Sequence, residues 1–274
     1  MRVLNWDFIL SLFKDGGRMP CENGAGLCVG SFDGFHKGHR KLIQSLKDFC
    51  TQNCCKSVVL SFTRPLPSIK NSSDYAGDVS TLNQRLDFFE SEGVDFLILV
   101  DFDKKFASLS GSDFFDIIKA VFNLKFIAEG VDFHCGYRGS TDCNAIKDWA
   151  QKNNVKTSFL PPVIFSSENQ KEQRISSSII RNLIKNGDVK TASLMLQKPY
   201  ELDFSKIDRK SIIDGTIKKS DFLQVIPQKG VFPVKIVFLS GQIFDSEISV
   251  SEDFIFCSAF KNCTENILKI VFFV

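Results

Sequence analysis

The strongest chemical signal in the sequence is one glycine- and histidine-rich stretch, Gly30-Ser31-Phe32-Asp33-Gly34-Phe35-His36-Lys37-Gly38-His39. An apolar run precedes it and a segment of helical periodicity follows it, so the pattern predicts a strand, a tight turn and a helix start. A helix N-terminus offers free backbone N–H groups and the positive end of the helix dipole, which favour phosphate. Gly34 and Gly38 lack Cβ atoms, which lets a phosphate approach the backbone closely. The stretch therefore predicts a phosphate-binding turn.

The two histidines of this stretch are three positions apart, so both imidazoles project from one side of the first helical turn. There, His36 and His39 can hydrogen-bond phosphate oxygens and stabilise the negative charge that develops on a leaving group. The alternative is that they only cap or pack a helix start, but two of the chain's three histidines lie in this motif. We predict a catalytic pair, with Asp33 orienting the turn or a ribose rather than acting as a base.

A second stretch with phosphate-binding character is Arg174-Ile175-Ser176-Ser177-Ser178-Ile179-Ile180-Arg181. Serines at a helix start can cap it and donate to phosphate, and Arg181 can reach a charged oxygen through its fork of N–H groups. Taken alone, the stretch fits an ordinary serine-capped helix with a solvated arginine equally well. Beside the first motif, it favours a role in binding phosphate.

The first two thirds of the chain alternate short apolar runs with amphipathic segments, as in a parallel sheet that is covered on both faces. Helices are predicted to open at His36, at Thr81 through a capping box, at Ser110 or Ser112, and at Ser176. This order predicts an α/β fold with a Rossmann-like doubly wound parallel sheet. The predicted strands are 27–32, 57–62, 96–101, 126–129 and 157–160.

The pattern changes after Pro199, where helical periodicity gives way to short strand-like runs separated by turns. These runs predict a small antiparallel β-barrel-like domain. We place an α/β domain at 1–187, a linker at 188–200 and the β domain at 201–274. The runs are 211–217, 223–226, 231–239, 243–250 and 254–260.

Composition and charge exclude several classes of protein. A net charge of +2 gives no reason to expect a nucleic-acid surface. We expect no membrane span, because no stretch approaches the roughly 20 apolar residues that a spanning helix needs. The N-terminus has no signal-peptide pattern, and the 9 cysteines include no C-x-x-C pair. We expect a cytoplasmic protein with reduced thiols and no dedicated metal site; the pattern does not indicate an oligomeric state.

The first motif resembles the G-x-F-D-G-x-H-x-G-H signature of the nucleotidyltransferase superfamily, and its context resembles the bacterial FAD synthetases. The second motif is similar to the family's R-I-S-S-T-x-x-R, with Ser178 in place of threonine, and the region from Thr81 to Phe133 follows the family's order and spacing. The resemblance implies transfer of AMP from ATP to FMN with Mg²⁺, giving FAD and pyrophosphate. It implies His36, His39 and Arg181 as catalytic residues. The expected ATP-binding residues are Gly30, Phe32, Asp33, Gly34, Gly38, Arg174, Ser177 and Ser178.

The flavin-binding stretch departs from the family pattern. The family has acid-Pro-His-Pro after Ser-Phe, whereas this chain has Phe62-Thr63-Arg64-Pro65-Leu66-Pro67, with Leu66 in place of the histidine. The stretch 129–133 matches the family's G-x-[N/D]-F, with Asp132 a candidate substrate contact. A turn residue at a strand end is an equal alternative for Asp132. The expected flavin-binding residues are Phe62, Pro65, Pro67 and Asp132.

The C-terminal third resembles the riboflavin kinase barrel of bifunctional family members. Residues 196–200 are similar to the L-x-x-P-Y entry to that barrel and 227–232 to its P-x-x-G-V-Y strand. The kinase hallmark G-x-P-T-A-N is absent between Tyr200 and Lys229. We therefore predict a degenerate β domain without kinase activity.

Two alternatives remain. One is a nucleotidyltransferase with another phosphorylated acceptor, which the resemblance of the region from Thr81 to Phe133 disfavours. The other is a non-catalytic flavin or nucleotide binder, which the absent kinase hallmark and Leu66 would suit. The intact pair of His36 and His39 disfavours it, because passive binding does not need two imidazoles beside phosphate.

Overall fold

The computed structural model describes residues 1–70, 75–167, 170–261 and 265–273. The chain divides into two compact bodies, each formed by several separate segments. The first body contains Met1–Phe32, Gly38–Lys70 and Leu86–Val163. The second body contains Asp33–Lys37, Asn71–Arg85 and Ile164–Val274.

The first body is built on a parallel sheet, which has six strands within the described residues. The interior strands consist mainly of apolar side chains and are almost wholly buried, as expected for a sheet covered on both faces. The spatial order is β1-β4-β3-β2-β5-β6 for Arg2–Asn5 (β1), Ala25–Val29 (β2), Lys56–Phe62 (β3), Phe96–Val100 (β4), Leu124–Gly130 (β5) and Lys156–Leu160 (β6).

Helices follow most of these strands. Ser110 caps α6 by accepting from the Asp113 N–H, while Thr81 and Gln84 form the predicted reciprocal capping box before α4. The helices up to Lys152 are Trp6–Lys14 (α1), Lys37–Gln52 (α2), Leu66–Lys70 (α3), Leu82–Ser91 (α4), Lys104–Ala107 (α5), Gly111–Phe122 (α6) and Cys143–Lys152 (α7), with a 3-10 turn at Tyr137–Gly139.

Both faces of the parallel sheet are covered. On one face, Trp6 and Ile9 of α1 and Phe114 of α6 join the sheet in a buried apolar cluster. On the other face, the Phe49 ring of α2 stacks on Phe126 of β5 at 4.2 Å. A Cβ added at Gly26 would lie 2.7 Å from Leu46 Cδ1, so this glycine lets α2 approach the sheet closely. The predicted α/β, doubly wound architecture is confirmed.

In the described residues of the second body there are an antiparallel sheet, a short hairpin and two helices that lie wholly within it. The sheet order among the described residues is β10-β13-β12-β11-β14-β9, and every pairing in it is antiparallel. Its strands are Glu201–Asp203 (β9), Thr216–Lys218 (β10), Gly230–Phe238 (β11), Ile243–Val250 (β12), Phe254–Phe256 (β13) and Ile267–Phe272 (β14). The hairpin is Ile164–Ser167 (β7) with Gln170–Arg174 (β8), the helices are Ser177–Lys185 (α8) and Val189–Leu196 (α9), and 3-10 turns occupy Arg209–Ser211, Lys219–Asp221 and Ser258–Phe260.

Three strand predictions in the second body were wrong in whole or in part. In the range 254–260, only Phe254–Phe256 is a strand, and Ser258–Phe260 is a 3-10 turn. Residues 223–226 form no strand, because Leu223 and Val225 direct their backbone hydrogen bonds to Asp78 in an isolated bridge. The range 211–217 is mostly turn, and only its end belongs to β10. The sequence patterns also missed β1 and α1 at the N-terminus. No helix in the described part of the chain is long and apolar enough to cross a membrane.

Candidate functional site

The first motif leaves the sheet of the first body at its topological switch point. β2 lies between β3 and β5, and the chain builds β3 and β4 on one side of it before it crosses to β5 and β6 on the other. In open parallel sheets, ligands bind beyond the carboxyl ends of the strands where the order reverses in this way. The motif begins at Gly30, directly after β2 ends at Val29.

A buried carboxyl group joins the two strands at this point. Glu129 of β5 is 1% exposed, and its Oε1 accepts a hydrogen bond from the Val29 N–H of β2 at 2.6 Å. Burial raises the pKa of Glu129 well above its ordinary value. Sequence reasoning missed this residue. The one feature of the sequence that could have indicated it is an acidic residue that follows the apolar part of β5.

The turn that follows β2 has unusual backbone geometry. Phe32, Gly34 and Phe35 have φ angles of 49°, 87° and 44°. Positive φ is uncommon for bulky residues and stores conformational strain. Within the second body, a Cβ added at Gly34 would lie 2.7 Å from Val79 Cγ1, and the Gly34 N–H donates to Ser80 Oγ at 2.8 Å. Packing and backbone conformation therefore both require glycine at position 34.

Asp33 anchors the turn inside the second body. Its carboxylate is 1% exposed and accepts hydrogen bonds from the Val79 N–H at 2.9 Å and the Ser80 N–H at 2.8 Å. Arg181 Nη2 lies 2.7 Å from Asp33 Oδ2 and forms a buried ion pair with it. Burial raises the pKa of Asp33, and the charge of Arg181 acts in the opposite direction.

Arg181 makes its hydrogen bonds to groups of the second body. Besides Asp33, its Nε donates to the Gly77 carbonyl at 2.7 Å, and its guanidinium lies 4.6 Å from the centre of the Tyr75 ring. Arg181 is 6% exposed. The sequence did not point to Tyr75 or Gly77, because neither residue lies in a recognised motif.

The serines of the second motif have different surroundings. Ser176 caps α8 by accepting from the Ile179 N–H, as the sequence predicted. Ser177 Oγ donates to the Asp33 carbonyl at 2.7 Å and so joins the second motif to the first. The side chains of Ser178 and Arg174 are exposed and accessible to a ligand.

The two histidines of the first motif differ in burial. His36 is 7% exposed, and burial together with the positive charge of Arg174 lowers its pKa to about 4. Its imidazole is therefore neutral at pH 7 in this structure. In the first body, His39 is half-buried on the first turn of α2, and its ring centre lies 5.2 Å from that of Phe32. Phe32 itself is buried.

The residues that were predicted to bind flavin lie in the first body. Phe62 is buried, with its ring 5.9 Å from Phe102, while Pro65 is buried and Pro67 half-buried. Asp132 is exposed just beyond the end of β5. The role of these residues in binding flavin stays a prediction. Leu66, which replaces the family's histidine, begins α3.

The donor groups do not suit a metal ion held by the protein alone. Within the described ranges, no group of three or more His, Cys, Asp or Glu side chains could hold a metal ion. Asp33, the acidic residue of the first motif, directs its carboxylate to Arg181 and two backbone N–H groups. Mg²⁺ is usually held by one or two carboxylates together with substrate phosphates.

The glycine- and histidine-rich turn after β2 lies in a segment of the chain that matches a known enzyme family. The sequence profile of the family described as FAD synthetase matches residues 19–179. The match covers more than half of the chain, and the chain belongs to the FAD synthetase family.

Similar proteins extend the comparison beyond this domain. Bifunctional riboflavin kinase/FMN adenylyltransferases from Bacillus subtilis (strain 168) and Escherichia coli (strain K12) are 26% and 28% identical to this chain over 82% and 80% of its length. These matches cover 71% and 70% of those proteins. The protein with the same name from Buchnera aphidicola subsp. Schizaphis graminum is 24% identical, and the match spans only 57% of its length.

A solved structure has a similar fold. The crystal structure of a macrolide-efflux protein from Streptococcus pneumoniae superimposes with a TM-score of 0.74 at 24% identity, over 99% of this chain and 90% of that one. At this identity, the likeness shows the fold alone.

Proposed function

We propose that this chain is an FMN adenylyltransferase, which transfers AMP from ATP to FMN and releases FAD and pyrophosphate. The observation that carries the proposal is the FAD synthetase match over residues 19–179, which includes the whole first motif and residues 174–179 of the second. The position of the first motif, at the carboxyl end of β2 and at the switch point of the sheet, supports it.

The proposed chemistry is a single in-line displacement. A phosphate oxygen of FMN attacks the α-phosphorus of ATP, and the new O–P bond forms as the bond from that phosphorus to the bridging oxygen breaks. Pyrophosphate leaves with the electron pair of the broken bond. The protein contributes position and electrostatic stabilisation, without a covalent enzyme intermediate.

Within this proposal, His36 and His39 hydrogen-bond the reacting phosphates. His36 is neutral in the free protein because burial lowers its pKa to about 4. A bound polyphosphate would act in the opposite direction to this burial and raise the pKa of His36. Ser178 and Arg174 have exposed side chains that suit contact with ATP phosphates.

For Arg181 we propose a positioning role. The sequence motif predicts direct phosphate contact, but the guanidinium lies against Asp33, Gly77 and Tyr75. Through Asp33, Arg181 holds the turn that carries Gly34 and His36. Asp33 and Ser177 support the same turn from the protein side.

Mg²⁺ enters this proposal with the nucleotide. The described residues do not supply a cluster for a resident ion. The oxygens of the triphosphate are themselves good Mg²⁺ ligands, so the substrate is the magnesium complex of ATP.

We further propose that 1–187 carries adenylyl transfer, that 188–200 joins it to the next domain and that 201–274 is a degenerate kinase-like domain. The relatives in Bacillus subtilis and Escherichia coli are named for both activities. The absence of G-x-P-T-A-N from this chain supports the loss of the kinase.

The test is product analysis with the purified full chain. FMN, ATP and Mg²⁺ are incubated with the protein, FAD and pyrophosphate are quantified by chromatography, and riboflavin replaces FMN in a parallel reaction. FAD from FMN and no flavin product from riboflavin would support both proposals. FMN or FAD from riboflavin would overturn the loss of kinase activity. ATP binding without FAD from FMN would overturn the assignment of FMN as the acceptor.

A further inference from the structure

One buried amide in the β domain makes hydrogen bonds through both ends of its side chain. Gln224 is 4% exposed. Its Nε2 donates to the Glu201 carbonyl at 2.9 Å and to the Val79 carbonyl at 3.2 Å, and it lies 3.2 Å from Gln84 Oε1. Its Oε1 accepts from the Asp203 N–H at 2.7 Å. Gln224 thus connects β9 to the segment Asp78–Gln84.

Other contacts hold the same segment. Thr81 Oγ1 donates to Asp203 Oδ2 at 2.5 Å. The Asp78 N–H donates to the Leu223 carbonyl, and the Val225 N–H donates to the Asp78 carbonyl, each at 2.8 Å. Gly77 lies so close that an added Cβ would be 2.6 Å from the Val225 nitrogen. The residues around Gln224 therefore fix the path of this segment by direct contact.

The opposite side of the segment holds the first motif. Val79 contacts both sides, because its carbonyl accepts from Gln224 while its N–H donates to Asp33. Ser80 adds a second N–H to Asp33, and its Oγ accepts from the Gly34 N–H. One residue, Val79, therefore separates the amide of Gln224 from the turn that contains His36.

We propose that Gln224 is a positioning residue for adenylyl transfer, which acts through Val79 and Ser80 on the Asp33–Gly34 turn. The proposal rests on the proposed function. Under this proposal, the β domain, which lacks the kinase hallmark, contributes to adenylyl transfer. If Gln224 has this role, a substitution that removes its amide should change the position of His36, although the two residues share no direct hydrogen bond in the described contacts.

The test compares two buried substitutions in the β domain. Gln224→Met keeps a similar shape but removes the amide. Ile248→Val, or Ile248→Ala if needed to match the loss of thermal stability, changes a buried residue of β12 that makes none of these contacts. We expect Gln224→Met to lower kcat for FAD formation at least about tenfold, since small displacements of catalytic groups have large effects on rate. We expect the matched Ile248 variant to retain kcat.

Two further readouts separate positioning from general destabilisation. The NMR resonances of the His36 imidazole should shift in Gln224→Met and stay unchanged in the Ile248 variant. The rate losses of Gln224→Met and Ser80→Ala should be less than additive in the double variant, because both act on one turn.

If the Gln224→Met protein does not fold, Thr81→Val takes its place, because Thr81 joins the same segment to β9 through Asp203. Normal kcat and unshifted His36 resonances in a folded Gln224→Met or Thr81→Val protein would overturn the proposal. If wild type makes no FAD, the proposed function fails, while the His36 resonances still test the positioning.

Discussion

Arg181 and Asp33 form a buried ion pair, in which Nη2 and Oδ2 are 2.7 Å apart although the residues are 148 positions apart in the chain. One residue comes from each of the two sequence motifs. Arg181 of the second motif therefore stabilises the turn of the first motif through Asp33. The Asp33 carboxylate also accepts hydrogen bonds from the backbone of Val79 and Ser80. Their interaction could not be predicted from the sequence, where Arg181 was expected to be catalytic and Asp33 to bind ATP.

Removing Arg181 should destabilise the protein strongly. Arg181→Met leaves the Asp33 carboxylate buried without its charge partner, which typically costs about 3–5 kcal/mol. The double variant Asp33→Asn/Arg181→Met should recover part of that loss. Urea unfolding measures both, with Lys229→Met, which breaks an exposed pair with Glu252, as the control expected to change little. An Arg181→Met protein as stable as the Lys229 variant would contradict the described pair.

Gly34 should not tolerate a side chain. Gly34→Ala places a Cβ 2.7 Å from Val79 Cγ1 at a φ of 87°, so we expect steric and backbone strain together. Gly16→Ala is the matched control, since Gly16 has a φ of 67° and no atom within 4 Å of an added Cβ. Thermal unfolding should show a loss of about 1 kcal/mol for Gly16→Ala and clearly more for Gly34→Ala. Equal losses would argue against close packing at Gly34.

His36 should make the stability of the protein depend on pH in a defined direction. Its folded pKa of about 4 lies below the ordinary value of 6.5. The unfolded chain therefore binds the proton first as pH falls, and stability is lost from about pH 6.5 towards pH 4. Between pH 7 and pH 5, wild type should lose roughly 2 kcal/mol relative to His36→Asn, which cannot titrate. Parallel pH profiles of unfolding free energy for the two proteins would contradict a buried, neutral His36.

Glu129 should have the opposite pH dependence. Its folded pKa is raised by burial, so stability contributed by the protonated carboxyl is lost as pH rises towards that pKa. Glu129→Gln keeps a carbonyl oxygen for the Val29 N–H and cannot ionise, so it should gain stability over wild type between pH 5 and pH 8. Chemical unfolding at several pH values measures this, with the exposed residue Glu252 changed to glutamine as the control. A Glu129→Gln protein that is less stable than wild type at pH 8 would contradict a buried Glu129 with a raised pKa.

Periodicity was enough to predict the parallel sheet, because its interior strands are short apolar runs between amphipathic helices. The capping box at Thr81 and the cap at Ser176 were also predicted, since both depend on residues within one turn. β1 was missed because Arg2–Asn5 is a short edge strand with mostly exposed side chains. The strand predicted at 223–226 was wrong because Leu223 and Val225 make a non-local bridge to Asp78 that no local pattern encodes.

The candidate site was predictable only in part. The types and spacing of His36, His39 and Ser177 pointed to phosphate chemistry, and those signals are local. The groups that hold the turn between the two histidines and β2, such as the Val79 and Ser80 N–H groups that bind Asp33, come from distant parts of the chain. The lowered pKa of His36 could not be predicted from the sequence either, because it depends on burial and on the charge of Arg174.

The most direct test of the central claim is the turnover of a folded His39→Ala protein. His134→Ala is the matched control, since His134 is exposed and its Nδ1 contacts the Asp132 carbonyl of its own loop at 2.9 Å. FAD formation from FMN and ATP is measured for both variants and wild type, with thermal unfolding to establish that each is folded. We expect His39→Ala to lower kcat at least about a hundredfold with little loss of stability, and His134→Ala to match wild type. Wild-type turnover by a folded His39→Ala protein would contradict the assignment of this motif as the site of AMP transfer.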